Sequence, residues 1–449
     1  MRTLLLPLLT LCLTVASSLA ADSVQTVAAV ELQNGERVAL IGGTLIEREQ
    51  RYGYWEHAMT SAYPDRNITF RNLGWAGDTV WADSRGIFDP ADKGYARLIE
   101  QVQQLRPTLF VLNYGGNEAW ESLQRGEPAD AAIERFIAQY AKLIGDLTAA
   151  SSGKPEDAAP PAGDAAGSPP RFLLLTPLPM EQGVGPNSEP SRYNEHLAKY
   201  AAAIQILSRD RGFPCVDLAD LHRWYAGEAA GEQTQRPLTG NGLHLSEYGY
   251  WRTAPWVRER LCGGTTAPAL HLPSDPNTLG ESATLDPQSG RIRVLAPRQP
   301  DLKQDQVCRE VEGQYSSLPV PAPDEHAGEG RQLSFDLTVA GMYRLNVDDE
   351  PAARGTPAEW KQGRRLSVDP DLAQSRALLT AIRRKNELYF HRWRPQNVTY
   401  LFLFRKHEQG NNAVEIPQFD PLVAAEEARI ADLRQPQRHI YKLIREAGN

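Results

Sequence analysis

Four short stretches put a hydroxyl, amide donors and an imidazole at the ends of apolar runs. In the first, Val38 to Ile41 run into Gly42-Gly43 and then the hydroxyl of Thr44. Leu45, Ile46 and the charged run Glu47-Arg48-Glu49 beyond it read as a helix. A buried strand breaking at two glycines and restarting as a helix places Thr44 where ligands of open α/β sheets sit. The same residue also suits a plain helix N-cap. The second stretch, Asn72-Leu-Gly-Trp-Ala-Gly-Asp-Thr79, follows another apolar run, and its paired glycines let backbone N–H groups approach an anionic oxygen. The third, Asn113-Tyr-Gly-Gly-Asn-Glu118, presents the Asn117 amide as a further donor. The fourth, Thr239-Gly-Asn-Gly-Leu-His-Leu-Ser-Glu-Tyr-Gly249, is a loop opening a helix, with His244 three residues after Asn241.

The elements that must carry these groups alternate regularly. Apolar runs at 38–41, 68–73, 108–113, 172–176 and 215–218 read as strands, and 46–62, 94–104, 131–149 and 191–209 as helices. Such alternation predicts a parallel sheet covered on both faces. The stretch 151–170 (SSGKPEDAAPPAGDAAGSPP) reads as a flexible insertion within this domain. Past Cys262 the texture changes to Pro, Gly and charge, with one weak strand at 291–295. Residues 333–347 then read as two alternating strands around Ala340-Gly341, a hairpin signal. A small β-rich unit is expected over 265–355, and a mostly helical region over 358–449, with final helices at 421–433 and 438–446. Within that region the aromatic, basic stretch 389–406 reads either as a packed strand or as an anion- or sugar-lining segment built on His391, Arg392, Trp393 and Arg394.

The 449-residue chain has 41% hydrophobic and 23% charged residues, the balance of an ordinary globular protein. Its net charge of −8 and the lack of a long basic run argue against a nucleic-acid partner. Met1-Arg2, an apolar run from Leu4 to Val15 and small residues at Ser18 and Ala20 read as a secretory signal over 1–20, cut after Ala20. That run is short for a membrane span, and no later stretch has spanning length, so an exported protein, periplasmic or secreted, is expected. Cys12 lies in the signal. Cys215, Cys262 and Cys308 show no metal-type spacing, and one disulfide, Cys262 to Cys308, would leave Cys215 as a buried thiol. His407-Glu408 lacks the second histidine of a helical zinc site, so no metal and no cofactor are expected.

Gly42-Gly43-Thr44-Leu45, Gly77, Gly115-Gly116-Asn117 and Asn241-Gly242-Leu243-His244, in that order across residues 37–262, together resemble the four blocks of the SGNH (GDSL) hydrolase superfamily. With the aromatic tail, the chain resembles exported SGNH-like proteins of planctomycete-type bacteria. The resemblance implies a flavodoxin-like three-layer α/β/α domain and ester hydrolysis through a nucleophile, a histidine base and an orienting residue. Carried over, it makes Thr44 the nucleophile, His244 the base and Asn241 its orienter, with Gly77 and Asn117 as oxyanion donors. The substrate class it implies is a small-molecule or glycan ester. Three positions depart from the family: Thr44 stands for serine, Asn241 for aspartate and Gly43 for the block-one aspartate. The threonine methyl crowds the line of attack, and asparagine supplies no charge to an imidazolium. Asp78 or Glu118 is a candidate compensating carboxylate near His244, and Gly77-Asp78-Thr79 also looks like a degraded Gly-Asp-Ser. Two functions follow: an exported ester hydrolase working through threonine, or an inactive domain of the same kind that binds a glycan or protein in the old cleft.

Overall fold

The computed structural model describes residues 30–152, 169–185, 190–228 and 236–262, then 270–271, 284–286, 291–295, 307–315, 318–323, 332–337, 340 and 341–446. The signal segment and most of the 151–170 insertion lie outside the described residues.

Five strands form one parallel sheet: β1 (Arg37–Gly42), β2 (Thr69–Asn72), β3 (Leu109–Asn113), β4 (Arg171–Leu175) and β5 (Cys215–Val216), in the order β2-β1-β3-β4-β5. Their side chains alternate between two cores. Val38, Leu40, Leu109, Val111, Leu173 and Leu175 point to one face; Ala39, Ile41, Phe110, Leu112, Phe172 and Leu174 point to the other. On the first face lie α1 (Thr44–Tyr52), α2 (Tyr54–Ala62) and α8 (Glu247–Cys262), contributing Trp55, Met59, Tyr250 and Trp256. On the second lie α3 (Ala91–Leu105), α5 (Ala129–Ser152) and α6 (Ser191–Arg211), contributing Leu98, Phe136, Leu143 and Ile204. The expected three-layer α/β/α arrangement is therefore present. One helix expected over 46–62 is two, because Gly53 takes a left-handed conformation (φ 67°) that turns the chain between them.

Past Cys262 the structure departs from expectation in three places. The strands Gln332–Asp336 and Tyr343–Val347 do not form a hairpin: the first joins a four-stranded sheet with Arg291–Leu295, the second a separate five-stranded antiparallel sheet. Residues 438–446, expected as a helix, form the strand Arg438–Arg445, which enters that five-stranded sheet between Tyr343–Val347 and Val307–Tyr315. The spacing of Ile440, Tyr441, Leu443 and Ile444 suits a helix, but two waiting strand edges supply hydrogen bonds that local pattern cannot register. Tyr441 and Leu443 then face the small core around Trp360. The stretch 389–406 is no strand either, because Trp393 ends a 24-residue helix, α10 (Pro370–Trp393). Cys262, a candidate for pairing with Cys308, is a free, buried thiol, pushed up to about 12 by burial.

Helix α10 returns from the far end of the sequence to cover the β2 edge of the main sheet. Its Lys385 donates to the Phe70 carbonyl at 3.0 Å and pairs with Glu56 at 2.5 Å, and Asn386 donates to the other Glu56 oxygen at 2.8 Å. Lys385 and Glu56 are both buried, so neither charge has water to fall back on. A nearby carboxylate, Glu49, accepts the N–H groups of Trp55 and Glu56 at 2.8 and 3.0 Å and is pushed up to about 8 by burial. Removing one partner of the buried pair is the sharpest test of this docking. Glu56→Ala leaves the Lys385 ammonium uncompensated and should cost about 3–5 kcal/mol. It is measured as a drop in urea midpoint followed by tryptophan fluorescence; an unchanged midpoint would show that the buried pair does not hold α10 on the sheet edge.

Candidate functional site

The strand order places β1 beside β3 where the order reverses, and open α/β sheets bind ligands at the carboxyl ends of strands at such a reversal. Gly42 lies opposite Asn113 in the register, and a Cβ on Gly42 would come within 2.3 Å of the Asn113 carbonyl oxygen. Glycine is therefore a steric need at that position. Two helices start from these strand ends: α1 at Thr44, and α4 (Gly116–Arg125) at Gly116. Their N-termini open on one cavity of about 440 Å³, lined by Gly43, Thr44, Gly116, Asn117, Asn241 and His244. The aligned N–H dipoles there favour negative charge.

The structure brings the four sequence stretches together. Gly77 donates its N–H to the Thr44 Oγ1 at 3.2 Å, and the Asn117 Nδ2 donates to the Asp78 carbonyl at 2.9 Å. A Cβ on Gly43 would sit 3.5 Å from both Asn117 Nδ2 and the Asp78 carbonyl oxygen, which places all three blocks in contact. Two donors, one on the Gly77 backbone and one on Asn117, thus converge beside a hydroxyl. In this state the Gly77 N–H and one of the two Asn117 amide N–H groups are engaged within the protein.

His244 lines the same cavity from a loop that is firmly braced. Gly240 donates to the His244 carbonyl at 3.0 Å, and Glu181 accepts from the N–H groups of Leu238 and Thr239 at 2.9 and 2.8 Å and from the Thr239 hydroxyl at 2.5 Å. Asn241 uses its side-chain oxygen on the backbone, accepting the N–H groups of Leu243 and His244 at 3.1 and 2.9 Å. It shapes the turn that carries the histidine instead of gripping the ring. Among the described residues the His244 imidazole makes no hydrogen bond. Burial holds it below the ordinary histidine value, and the Arg48 guanidinium lowers it further, so the ring is neutral at pH 7.

The two candidate carboxylates have other work. Asp78 pairs with buried Arg85 at 2.6 Å. Glu118 accepts the N–H groups of Val80 and Gly115 at 2.8 and 2.9 Å, tying the second block to the start of α4, and burial pushes it up to about 7. Both border the cavity, and each is engaged with partners other than His244, whose ionisation burial and then the Arg48 charge depress. Residues outside the four blocks complete the walls: Leu178 and Met180 are apolar, and Trp120, exposed at its rim, meets Tyr193 edge-on at 5.7 Å. These come from segments whose sequence carries no functional pattern; an exposed tryptophan on a charged helix was the one available signal. Among the described residues no group of His, Cys, Asp and Glu is placed to hold a metal ion, and no helix is long and apolar enough to cross a membrane.

Residues 38–252 match the model of the GDSL-like lipase/acylhydrolase family. No curated protein matches the chain. Among solved structures, a gut microbial diltiazem-metabolizing enzyme is similar at 12% identity and a TM-score of 0.62, covering 94% of this chain and 100% of that one. That likeness, spanning both the main sheet and the later regions, shows a shared fold. An acetyl xylan esterase matches at 20% identity and a TM-score of 0.35, over 49% of this chain and 96% of that one. An acetylxylan esterase from Geobacillus stearothermophilus matches at 15% and 0.37, over 53% and 99%.

The electrostatics of the site can be checked without any activity. An NMR titration of the His244 Cε1 proton should give a pKa below the free value of about 6.5. Arg48→Gln, by removing a like charge from the imidazolium, should raise it while leaving it below that value. A wild-type value above 6.5 would mean that a carboxylate reaches the ring after all. Glu118→Gln sets an amide NH₂ against one of two backbone donors and should destabilise the fold by about 1–3 kcal/mol, read as a lower denaturant midpoint.

Proposed function

We propose, from the premise that residues 38–252 are a domain of the GDSL-like lipase/acylhydrolase family, that this domain hydrolyses small acyl esters with Thr44 as its nucleophile. The observation that carries the reading is the meeting of Thr44, Gly77, Asn117 and His244 around one cavity at the strand-order reversal. The Thr44 hydroxyl rotates off the Gly77 N–H, passes its proton to neutral His244 and attacks the acyl carbon. The oxyanion then takes the place the hydroxyl vacated, against the N–H groups of Thr44 and Gly77 and the Asn117 amide. His244 returns the proton to the departing alcohol, giving a threonyl ester. Water, activated by the same imidazole, releases the acid. The exposed Trp120 ring beside Tyr193 suits stacking on a sugar, which supports a carbohydrate-linked ester. The N-terminal apolar run supports export.

One observation favours the second reading, an inactive domain that binds a glycan or protein in the cleft. Gly77 and Asn117 already donate to internal acceptors, and Asn241 is committed to backbone rather than to the imidazole. Hydrolysis of p-nitrophenyl acetate and acetylated xylan separates the two. Under the hydrolase reading Thr44→Ala is inert, and His244→Ala loses about 10²–10⁴-fold in kcat/KM. Asn117→Ala loses about 10²–10³-fold in kcat. The acid limb of kcat/KM falls below about pH 6.5, because activity needs the neutral ring and its ionisation is depressed. If the wild type is inert and Thr44→Ser gains turnover, the cleft is intact and the protein binds rather than cleaves. Protein recovered from the periplasm or medium should begin at Ala21 on N-terminal sequencing; a start at Met1 would remove the export proposal.

A further inference from the structure

The second block, which offers Gly77, is a loop whose crest stands in solvent: Ala76 and Gly77 are both exposed. Two bonds hold the crest N–H groups. Gly77 donates to Thr44 Oγ1, and Ala76 donates to Glu47 Oε2 at 2.5 Å. In the proposed reaction the first of these breaks, because the Thr44 hydroxyl must leave. The Glu47 contact then remains to keep the Gly77 N–H aimed at the oxyanion. Glu47 is itself a half-exposed side chain on the first turn of α1, with three rotatable bonds and no reason of its own to stay there.

Its anchor comes from the opposite end of the chain. Arg394, one residue past α10, pairs with the same Glu47 Oε2 at 2.8 Å. Its guanidinium lies over the Trp75 ring, 3.5 Å from the centroid, one residue before Ala76. Trp393 closes the far side, meeting Trp75 edge-on at 5.8 Å, and the buried Arg85 sits within 6 Å of both rings, 5.7 and 5.9 Å from their centroids. A planar guanidinium can stack on an indole and pair with a carboxylate at once, which an ammonium cannot do equally well.

We infer that Arg394 is a positioning residue for the oxyanion site: through Glu47 and Trp75 it holds the Ala76–Gly77 crest in place, so that the C-terminal region completes the cleft. The consequence for rate rests on the hydrolase reading; the consequence for the loop does not. Both are tested on the full-length chain with Arg394→Ala, Arg394→Lys and the control Arg392→Gln, whose arginine pairs with Asp420 instead. Backbone hydrogen exchange across residues 75–78 should speed up at least tenfold in Arg394→Ala, by an intermediate amount in Arg394→Lys, and not in Arg392→Gln. Turnover of p-nitrophenyl acetate, measured below the melting range of every variant, should fall by about 10- to 100-fold in kcat with KM within twofold. Unchanged exchange at 75–78 in Arg394→Ala overturns the inference, as does equal acceleration in Arg392→Gln, which marks general loosening. If the wild type shows no turnover, the hydrolase reading fails, and the exchange result alone decides the clamp. If turnover exists and exchange rises while kcat is unchanged, the crest does not serve the reaction and the inference fails.

Discussion

The pairing of β1 with β3 is the constraint on which the rest of the site depends. Because Gly42 stands opposite Asn113 with no room for a Cβ, the two strands end level, and the helices that follow start side by side. Thr44 and Asn117 are thereby held at two adjacent helix N-termini, and the Gly77 loop, which returns from β2 on the other side of β1, closes the third side. Thr44 and Asn117 need no unusual conformation to reach the cavity, and Gly77 takes a left-handed one (φ 75°) that glycine adopts readily. The parallel order delivers them, and the field of the helix ends is already oriented for a negative oxygen.

What the site lacks is charge behind its histidine. An imidazole that accepts a proton during reaction is stabilised by a neighbouring carboxylate, and here the charge that bears on the ring is a guanidinium, Arg48. Asn241 preserves the shape of the turn by capping two N–H groups, a role that either an amide or a carboxylate oxygen can fill. The substitution therefore keeps the backbone that presents His244 while removing its anion. Glu118 and Asp78 do not replace that anion. Each is spent holding backbone or Arg85. The cavity thus sets aligned donors beside a neutral imidazole with no carboxylate hydrogen-bonded to it.

The later regions are not an appendage. Helix α10 covers the sheet edge that β2 would otherwise expose, and does so with a buried Lys385–Glu56 pair that is costly if either partner is lost. Arg71 pairs with Glu427 of Phe419–Leu433, the helix packed against α10, so the same edge is bridged a second time. This long-range polar stitching selects one docking position, because apolar contact alone would allow α10 to slide. It also explains why the end of α10 can reach the cleft with defined geometry.

How much of this was legible in the chain itself follows from range. The five strands announced themselves because strands buried on both faces are continuous apolar runs, and the glycine-punctuated ends at Gly42-Gly43 and Gly115-Gly116 marked where helices begin. Thr44, Gly77, Asn117 and His244 could be singled out for the same reason: each sits next to a local break that only certain residues tolerate. The strand at 438–445 and the separate sheets of 332–336 and 343–347 were not legible, because each is decided by the edge of a strand distant in the chain; the break at Gly53 is local, a glycine free to turn left-handed where the periodicity ran on. The Asn241 side chain could be read as a histidine partner until its oxygen was seen on the backbone; Glu181 and Tyr193 carry no sequence signature, and nothing in the aromatic, basic stretch around Arg394 pointed to Glu47 and Trp75 as its partners. Sequence by itself determined the fold class and the positions that meet at the cavity, since those depend on local periodicity and backbone freedom. Tertiary structure alone decided which charges meet, because a salt bridge or a desolvated imidazole is a property of neighbours in space, and spacing along the chain does not encode it.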